Sequence, residues 1–400
     1  MGFIKKIEIE NFYSITQKIV LDFLSSNYMV QNHSERTIKF NDSNYSTLNV
    51  IYGANASGKS SILRALIIVS QIITNSSDEK MPSSFKNKFL DKRRKSRICI
   101  EFVINNSTYI YEIILNSNND YVNDSIHDEI LYIVKSKRRK TLINRKLLKV
   151  HKIEDNIREA ILDKINDKKS LIYEFMKFNS DFEKIVDFFR NIKHTTNIQN
   201  AYVTNTIPSY AMIENTLETF KKGASSGLES FILKFLNNIG IDITEFIPNY
   251  KVENGKEILS GFLIKHKISK TSNIELLLES DGTMNLIQIL IYIYFAKLGN
   301  SILIIDEFDS ILHPMLVPLV NKILINNSIQ VIYTTHNIYN MKYLYHDEIT
   351  LIEKDENHIT IVKQLKNLDS IKFDDNILDL YEEGYFGGIP DIKALDTKIF

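Results

Sequence analysis

Eight consecutive residues, Gly53-Ala54-Asn55-Ala56-Ser57-Gly58-Lys59-Ser60, match the spacing G-x-x-x-x-G-K-[ST] without a mismatch. The spacing has a chemical reason. A bound triphosphate is wrapped by inward-pointing backbone N–H groups, and glycines permit the torsions and the close approach this needs. The helix that follows turns its positive end toward the same phosphates. Gly53, Asn55, Ala56, Ser57, Gly58, Lys59, Ser60 and Ser61 are therefore the expected nucleotide-binding residues. Lys59 is placed to bridge the β- and γ-phosphates, and Ser60 to offer its hydroxyl to Mg2+. A second constellation, Asp306-Glu307, ends the apolar run Ser301–Ile305. Carboxylates at the C-terminal end of a buried strand stand where α/β sheets hold their ligands. Asp306 is expected to hold Mg2+ through its water shell, and Glu307 to act as general base on the water that attacks the γ-phosphate.

The elements around these residues must supply a buried strand before the loop and an amphipathic helix after it. Leu48-Asn49-Val50-Ile51-Tyr52 is such a strand, and Ile62, Leu63, Leu66 and Val69 give the helical spacing. Alternation through Ile4, Ile7 and Ile9 predicts a half-buried opening strand, with a turn at Asn11–Ser14 and a second strand near Ile19–Phe23. Residues 25–46 read as a surface loop. Ile98–Ile104 and Tyr109–Leu115 predict a hairpin turning at Asn105-Asn106, with further strands near Ile130–Val134 and Thr141–Leu147. Helical spacing runs through 155–195 and 213–238. Strand-like runs return at Leu259–Ile264 and Ile274–Leu278. A helix at about 284–298, a strand at Ile302–Ile305, a helix near 314–325 and a strand at Ile329–Thr334 follow. This strand–helix rhythm marks an α/β sheet. The expected fold class is α/β, a mixed sheet with an antiparallel β subdomain and a helical insertion. One domain is split between 1–120 and 256–370, residues 121–255 form a mainly helical lid or arm, and 371–400 form a tail.

Composition bounds the function classes. With 400 residues the chain exceeds the usual domain size of about 100–200, so one large domain with an insertion, or two intimate domains, is expected. An apolar share of 44% rules out global disorder. Forty-nine basic residues balance forty-nine acidic ones, which excludes a uniformly polybasic nucleic-acid coat but leaves local patches open. Cys99 is the single cysteine, so no intramolecular disulfide forms and a reducing cytosol is expected. The longest greasy stretch, Leu286–Leu298, contains Gln288 and Lys297 and falls short of the about 20 apolar residues of a membrane span. Lys5-Lys6 is followed by Glu8 and Glu10, with no apolar segment behind the charges, so no targeting element and no membrane partner are expected.

Two further elements stand in a telling order: Glu279-Ser280-Asp281-Gly282-Thr283 at a helix entrance, and the strand Val331–Thr335 ending in His336. With them the chain resembles the ABC-type ATPase heads, in particular the SMC/RecF-like and OLD-like branch, over roughly 1–120 and 256–370. The opening Ile7-Glu8-Ile9-Glu10-Asn11-Phe12 is similar to that branch's first strand. The resemblance implies ATP as the nucleotide and a homodimer, or a higher homo-oligomer, in which two copies sandwich two of them. Ser280 and Gly282 of one subunit would contact the γ-phosphate bound by the other, and His336 would contact the same phosphate in cis. Asp309–His313 would line the seam. Three departures are visible: the signature reads Ser-Asp-Gly-Thr, His313 stands where the seam carries an aspartate, and Gln71 comes too soon after Ser60 to serve as the metal-sensing glutamine. Slow turnover is the consequence expected.

The run Phe308–Pro314 and the ending Gly384–Pro390 are similar to bacterial abortive-infection ATPase subunits of the PARIS and AbiL/Rlo type. That resemblance implies a sensor or scaffold in phage defence controlling a separately encoded effector, often a Toprim nuclease. A RecF/SMC-like clamp on DNA is the alternative, and the basic clusters Lys92-Arg93-Arg94-Lys95 and Lys135–Lys140 would serve it. A transporter subunit fits poorly, because roughly 220 residues separate loop and signature. A built-in nuclease fits no better: 64 residues follow His336, and Asp374, Asp375 and Asp379 read as decoration of a helix.

Overall fold

In the computed structural model, residues 2–75, 95–116, 125–194, 227–253, 255–267, 273–299, 301–308, 312–326, 329–368, 371–372 and 375–387 are described. The short apolar runs assemble into a six-stranded sheet in the order Lys193–His194, Ile302–Ile305, Gln330–Thr334, Leu48–Gly53, Ile349–Lys354, Thr360–Gln364. All neighbours pair in parallel except the last two strands. Both faces are covered, and the side chains part by the two-residue period of a strand. Ile51, Ile302, Ile304, Ile332 and Ile352 enter one core, while Val50, Tyr52, Leu303, Ile305, Val331, Tyr333 and Leu351 enter the other.

The first core lies between this sheet and a seven-stranded antiparallel one, ordered Lys149–Val150, Arg138–Asn144, Ser125–Lys135, Ser107–Asn116, Ser96–Ile104, Gly2–Glu10, Ile19–Asp22. The helix Lys59–Thr74 fills the space between them and is buried along its length except at Ser60 and Arg64. A helix enclosed on all sides reads as apolar nearly all round. The second core takes the opposite face of the parallel sheet, against the helices Gly227–Asn238, Asp281–Leu298, Val317–Asn326 and Ile377–Glu382. Among the described residues no helix is long and apolar enough to cross a membrane.

Among its described residues, the block at 121–255 is part strand and part helix, and both parts enter the two cores. Its strands Ser125–Lys135 and Arg138–Asn144 extend the antiparallel sheet. Its helices Leu171–Phe175 and Ser180–Asn191 bury Phe175, Phe182, Val186 and Phe189 in the first core, and Ser70 Oγ donates to Phe189 O at 2.8 Å. Glu129, fully buried, holds the corner together. It accepts from Tyr111 Oη at 3.1 Å, Leu171 N at 2.9 Å and Arg145 Nη2 at 3.2 Å.

Residues 25–46 differ from the expected loop. The helix Asn27–Asn32 starts on Ser26, and Thr37–Phe40 pairs with Ser43–Ser46 so that Ile38, Phe40 and Tyr45 pack on Phe3 and Val103. Arg36 fastens this hairpin through a bidentate pair with buried Glu348, at 2.7 and 2.6 Å. The strand expected at Ile274–Leu278 covers Ile274–Glu275 alone, after which Leu276–Leu278 wind into a 3-10 turn. The cluster at 92–94, the seam residues 309–311, Asp374 and residues 388–390 lie outside the described residues.

Leu66 is fully buried on the central helix. Leu66→Ala is expected to cost about 2–5 kcal/mol of stability, seen as a lower urea midpoint at unchanged slope.

Candidate functional site

The loop that follows Leu48–Gly53 is shaped by what surrounds it. A Cβ on Gly53 would stand 2.1 Å from the carbonyl oxygen of Ile352 on the neighbouring strand, so this approach requires glycine. Ala56 and Gly58 take left-handed torsions, φ 61° and 120°, and Gly58 precedes the first residue of the helix Lys59–Thr74. Asn55 and Ala56 are exposed at the crest, while Ser57, Gly58 and Lys59 are buried. Lys59 Nζ donates to the carbonyls of Gly53 at 2.8 Å and Ala54 at 3.0 Å, which lays its ammonium across the loop. Behind the loop, Ser61 Oγ and Ser14 Oγ are 2.8 Å apart, and Thr360 Oγ1 donates to Ser57 O at 3.3 Å. The turn after the first strand and the last strand of the sheet thus brace it.

The parallel register brings the second constellation alongside. Ile305 pairs with Tyr333 and Thr334 with Ile51, so Asp306 emerges beside Thr334, and the loop begins two residues beyond Ile51. Asp306 Oδ1 accepts from Ser60 Oγ at 3.1 Å and from Thr334 Oγ1 at 2.6 Å. The same Thr334 hydroxyl accepts from Glu307 N at 2.8 Å. Glu307 sits at φ 52°, left-handed for a residue with a Cβ, and its side chain is exposed. His336 follows the next strand and is exposed. With Gly53, Ala54, Asn55, Tyr381 and Glu382 it borders a cavity of about 360 Å3. Below it a buried network keeps the strand ends in place. Asn340 Nδ2 donates to Tyr333 Oη at 2.7 Å and to Tyr52 Oη at 3.3 Å, and burial pushes the Tyr333 phenol far up, so it stays neutral.

Ser60, Asp306, Thr334 and Glu307 are thus brought together, with Lys59 on the loop and His336 at the rim of the cavity. Their chemistry is specific. Backbone N–H groups at a helix start suit phosphate oxygens, and a hydroxyl beside a carboxylate, both hard oxygen donors, suits a small divalent cation. The signature residues stand apart from this group. Ser280 caps the helix Asp281–Leu298 by accepting from Thr283 N at 3.2 Å, and both Ser280 and Gly282 are exposed. His313 Nδ1 accepts from Met315 N at 3.3 Å, where it caps the turn Pro314–Leu316. Gln71 is buried on the same helix as Ser60. The sequence reading missed Thr334, Ser14 and Thr360. Only Thr334 had a signal there: a hydroxyl residue closing a buried strand that lies next to a carboxylate strand.

The family model described as “AAA domain, putative AbiEii toxin, Type IV TA system” matches residues 48–341. No curated protein matches the chain. Among solved structures the chain is similar to the SMC head domain from Thermotoga maritima, at 14% identity and a TM-score of 0.43, covering 90% of this chain and 98% of that one. It is also similar to an SmcHead bound to the C-winged helix domain of ScpA, at 15% identity and a TM-score of 0.46, covering 90% and 97%. A third is the Smc head domain with an extended coiled coil bound to the C-terminal domain of ScpA from Pyrococcus furiosus, at 15% identity and a TM-score of 0.41, covering 92% and 97%. The phosphate-type loop, the carboxylate strand and the strand ending in Thr334 all fall inside the matched residues, and the chain belongs to this AAA-domain family of P-loop ATPases.

Proposed function

We propose that the protein binds ATP with Mg2+ and hydrolyses it as a nucleotide-sandwiched homodimer. The observation that carries this is the Ser60 hydroxyl 3.1 Å from the Asp306 carboxylate, at the common edge of three parallel strands and beside a glycine loop. The loop N–H groups and Lys59 hold the phosphates, with Asn55, Ala56, Ser57 and Ser61 shaping the cradle. Ser60 and Asp306 are the residues that would hold Mg2+, which when bound supplies positive charge against the β- and γ-phosphate oxygens. Glu307, turned outward by its left-handed backbone, takes a proton from the attacking water as general base. His336 steadies the γ-phosphate from the rim. Ser280 and Gly282 reach the nucleotide of the second subunit, whose charge their helix N-terminus meets only when the dimer closes.

At the finer level, the protein serves as sensor and scaffold in an abortive-infection system, controlling a separately encoded effector such as a Toprim-type nuclease. The name of the matching family, which links its AAA domain to the AbiEii toxin of a Type IV toxin–antitoxin system, supports a link of this kind. So does the resemblance of residues 308–314 and 384–390 to PARIS and AbiL/Rlo-type subunits. The working division is a split head with residues 121–255 inserted and 371–400 as a tail.

One observation favours the reading as a RecF/SMC-like DNA-binding ATPase. Lys135, Lys137, Arg138, Arg139 and Lys140 are all exposed around one hairpin turn near the edge of the antiparallel sheet. Should this hairpin track a phosphate backbone, duplex binding at low salt falls steeply with added salt, and replacing Arg138 and Arg139 by Ala lowers the salt slope by about two, measured by fluorescence anisotropy.

Two substitutions test the main reading. Lys59→Ala is expected to lower ATP turnover by about 10²–10³-fold, the range for one lost donor at developing charge. Glu307→Gln is expected to keep ATP binding and to accumulate a dimer with Mg-ATP, seen as a doubling of mass in light scattering. A Glu307→Gln protein that turns ATP over at the wild-type rate removes the general-base assignment.

A further inference from the structure

Away from the loop, one histidine is gripped on both ring nitrogens by carboxylates. His266 Nδ1 lies 2.7 Å from Asp242 Oδ1, and its Nε2 lies 2.9 Å from Glu279 Oε1. A neutral imidazole carries one N–H and an ionised carboxylate only accepts, so both contacts are hydrogen bonds when the ring carries both protons. The three residues come from three elements. Asp242 lies between the helix Gly227–Asn238 and the strand Ile243–Glu253, His266 ends the strand Lys256–His266, and Glu279 immediately precedes Ser280. Ile243 pairs with His266 across the hairpin, and Lys267 N donates to Asp242 O at 3.0 Å, so Asp242 and His266 form one fixed base. The turn carrying Glu279 is held to the core by Leu276 alone of its three leucines. Leu277 and Leu278, just before it, are 58% and 72% exposed.

We infer that His266 is a positioning residue for the signature turn. Its two hydrogen bonds tie Glu279 to the hairpin base and fix the direction in which the neighbouring Ser280 and Gly282 face a second subunit. This rests on the trans role proposed for Ser280. The long hairpin thereby gains a mechanical line to the turn, because any shift of its base moves the imidazole that holds Glu279.

Among the described residues, Asp242 and Glu279 are the charged groups that face the ring. The hydrogen bond to Asp242 raises the pKa of His266 most, partial burial works against it, and Glu279 adds to the rise. A raised pKa means the clamp is complete below the ordinary histidine pKa and is lost as the pH climbs through the raised one.

The test compares wild type, His266→Ala, His266→Arg and Ser280→Arg. Steady-state ATP turnover is measured from about pH 6 to about pH 9, the span in which histidine charge changes, together with hydrogen exchange of residues 276–283. Wild-type turnover should fall on the alkaline side. His266→Ala should turn over about tenfold more slowly at unchanged KM, the scale of losing a supporting hydrogen bond, with faster exchange at 276–283. His266→Arg keeps a permanent charge and several donors, so it should hold turnover level across the alkaline range. Wild-type turnover, pH profile and exchange in His266→Ala, alongside an inactive Ser280→Arg, would overturn this inference alone. Wild-type turnover by Ser280→Arg would overturn the trans role and this inference with it.

Discussion

Asp306 Oδ1 accepts hydrogen bonds from Ser60 on the loop helix and from Thr334 on the adjoining strand, and through that oxygen three elements meet at one point. The meeting depends on register. Ile305 opposite Tyr333 and Thr334 opposite Ile51 set the carboxylate, the bridging hydroxyl and the start of the loop side by side. A slip of one residue in any of these strands would turn a side chain of this group into a core and an apolar one out to the edge. Burial on both faces forbids the slip, since Ile302, Ile304 and Ile332 fill one core and Leu303, Ile305, Val331 and Tyr333 the other. The hydrophobic effect that stabilises the sheet is thus also what aligns its polar edge.

That edge carries strain. Glu307 at φ 52° costs on the order of 1–3 kcal/mol for a residue with a Cβ. The Thr334 hydroxyl offsets part of it by accepting from Glu307 N while donating to Asp306, so one side chain fixes both acids. Lys59 is under a related constraint. Its buried ammonium needs partners and finds the carbonyls of Gly53 and Ala54. A phosphate oxygen offered at the same place would compete with neutral carbonyls for a charged donor, and charge-assisted hydrogen bonds are the stronger kind. The loop therefore holds its lysine ready without committing it.

Much of this was legible in the residues because the signals were local. The loop spacing, the apolar run before it and the acids after Ile305 each lie in one short window, and the strands at Ile302–Ile305 and Gln330–Thr334 formed within a residue of expectation. What escaped was long-range. Thr334 matters only because its strand lies between the two that carry Gly53 and Asp306. The glycine at 53 answers to Ile352, about 300 positions away in the chain. Residues 25–46 looked polar enough for a loop, yet Ile38, Phe40 and Tyr45 supply an apolar face that needs Phe3 and Val103 to cover it. The 121–255 block carried both helical and alternating patterns, and sequence alone could not say that Phe182 and Phe189 pack into the same core as the central helix.

Gly282 points outward in a different way from Gly53. A Cβ at 282 would meet only Ser280 Oγ, at 3.9 Å, so the subunit itself has ample room for a side chain there. It is also the second residue of the helix Asp281–Leu298, where alanine would be the better helix former by up to about 1 kcal/mol. Neither torsion nor internal packing asks for glycine. A glycine that the fold does not require, beside the exposed capping Ser280, leaves the backbone there open to close approach from outside, as the proposed trans contact needs. The helix start behind it is capped by Ser280, which accepts from Thr283 N, and it keeps a positive end, so the approaching group that suits it best is an anion. The proposed arrangement supplies that anion as the γ-phosphate on a second copy's loop, and the open glycine leaves the helix start unobstructed on the side from which that phosphate would come.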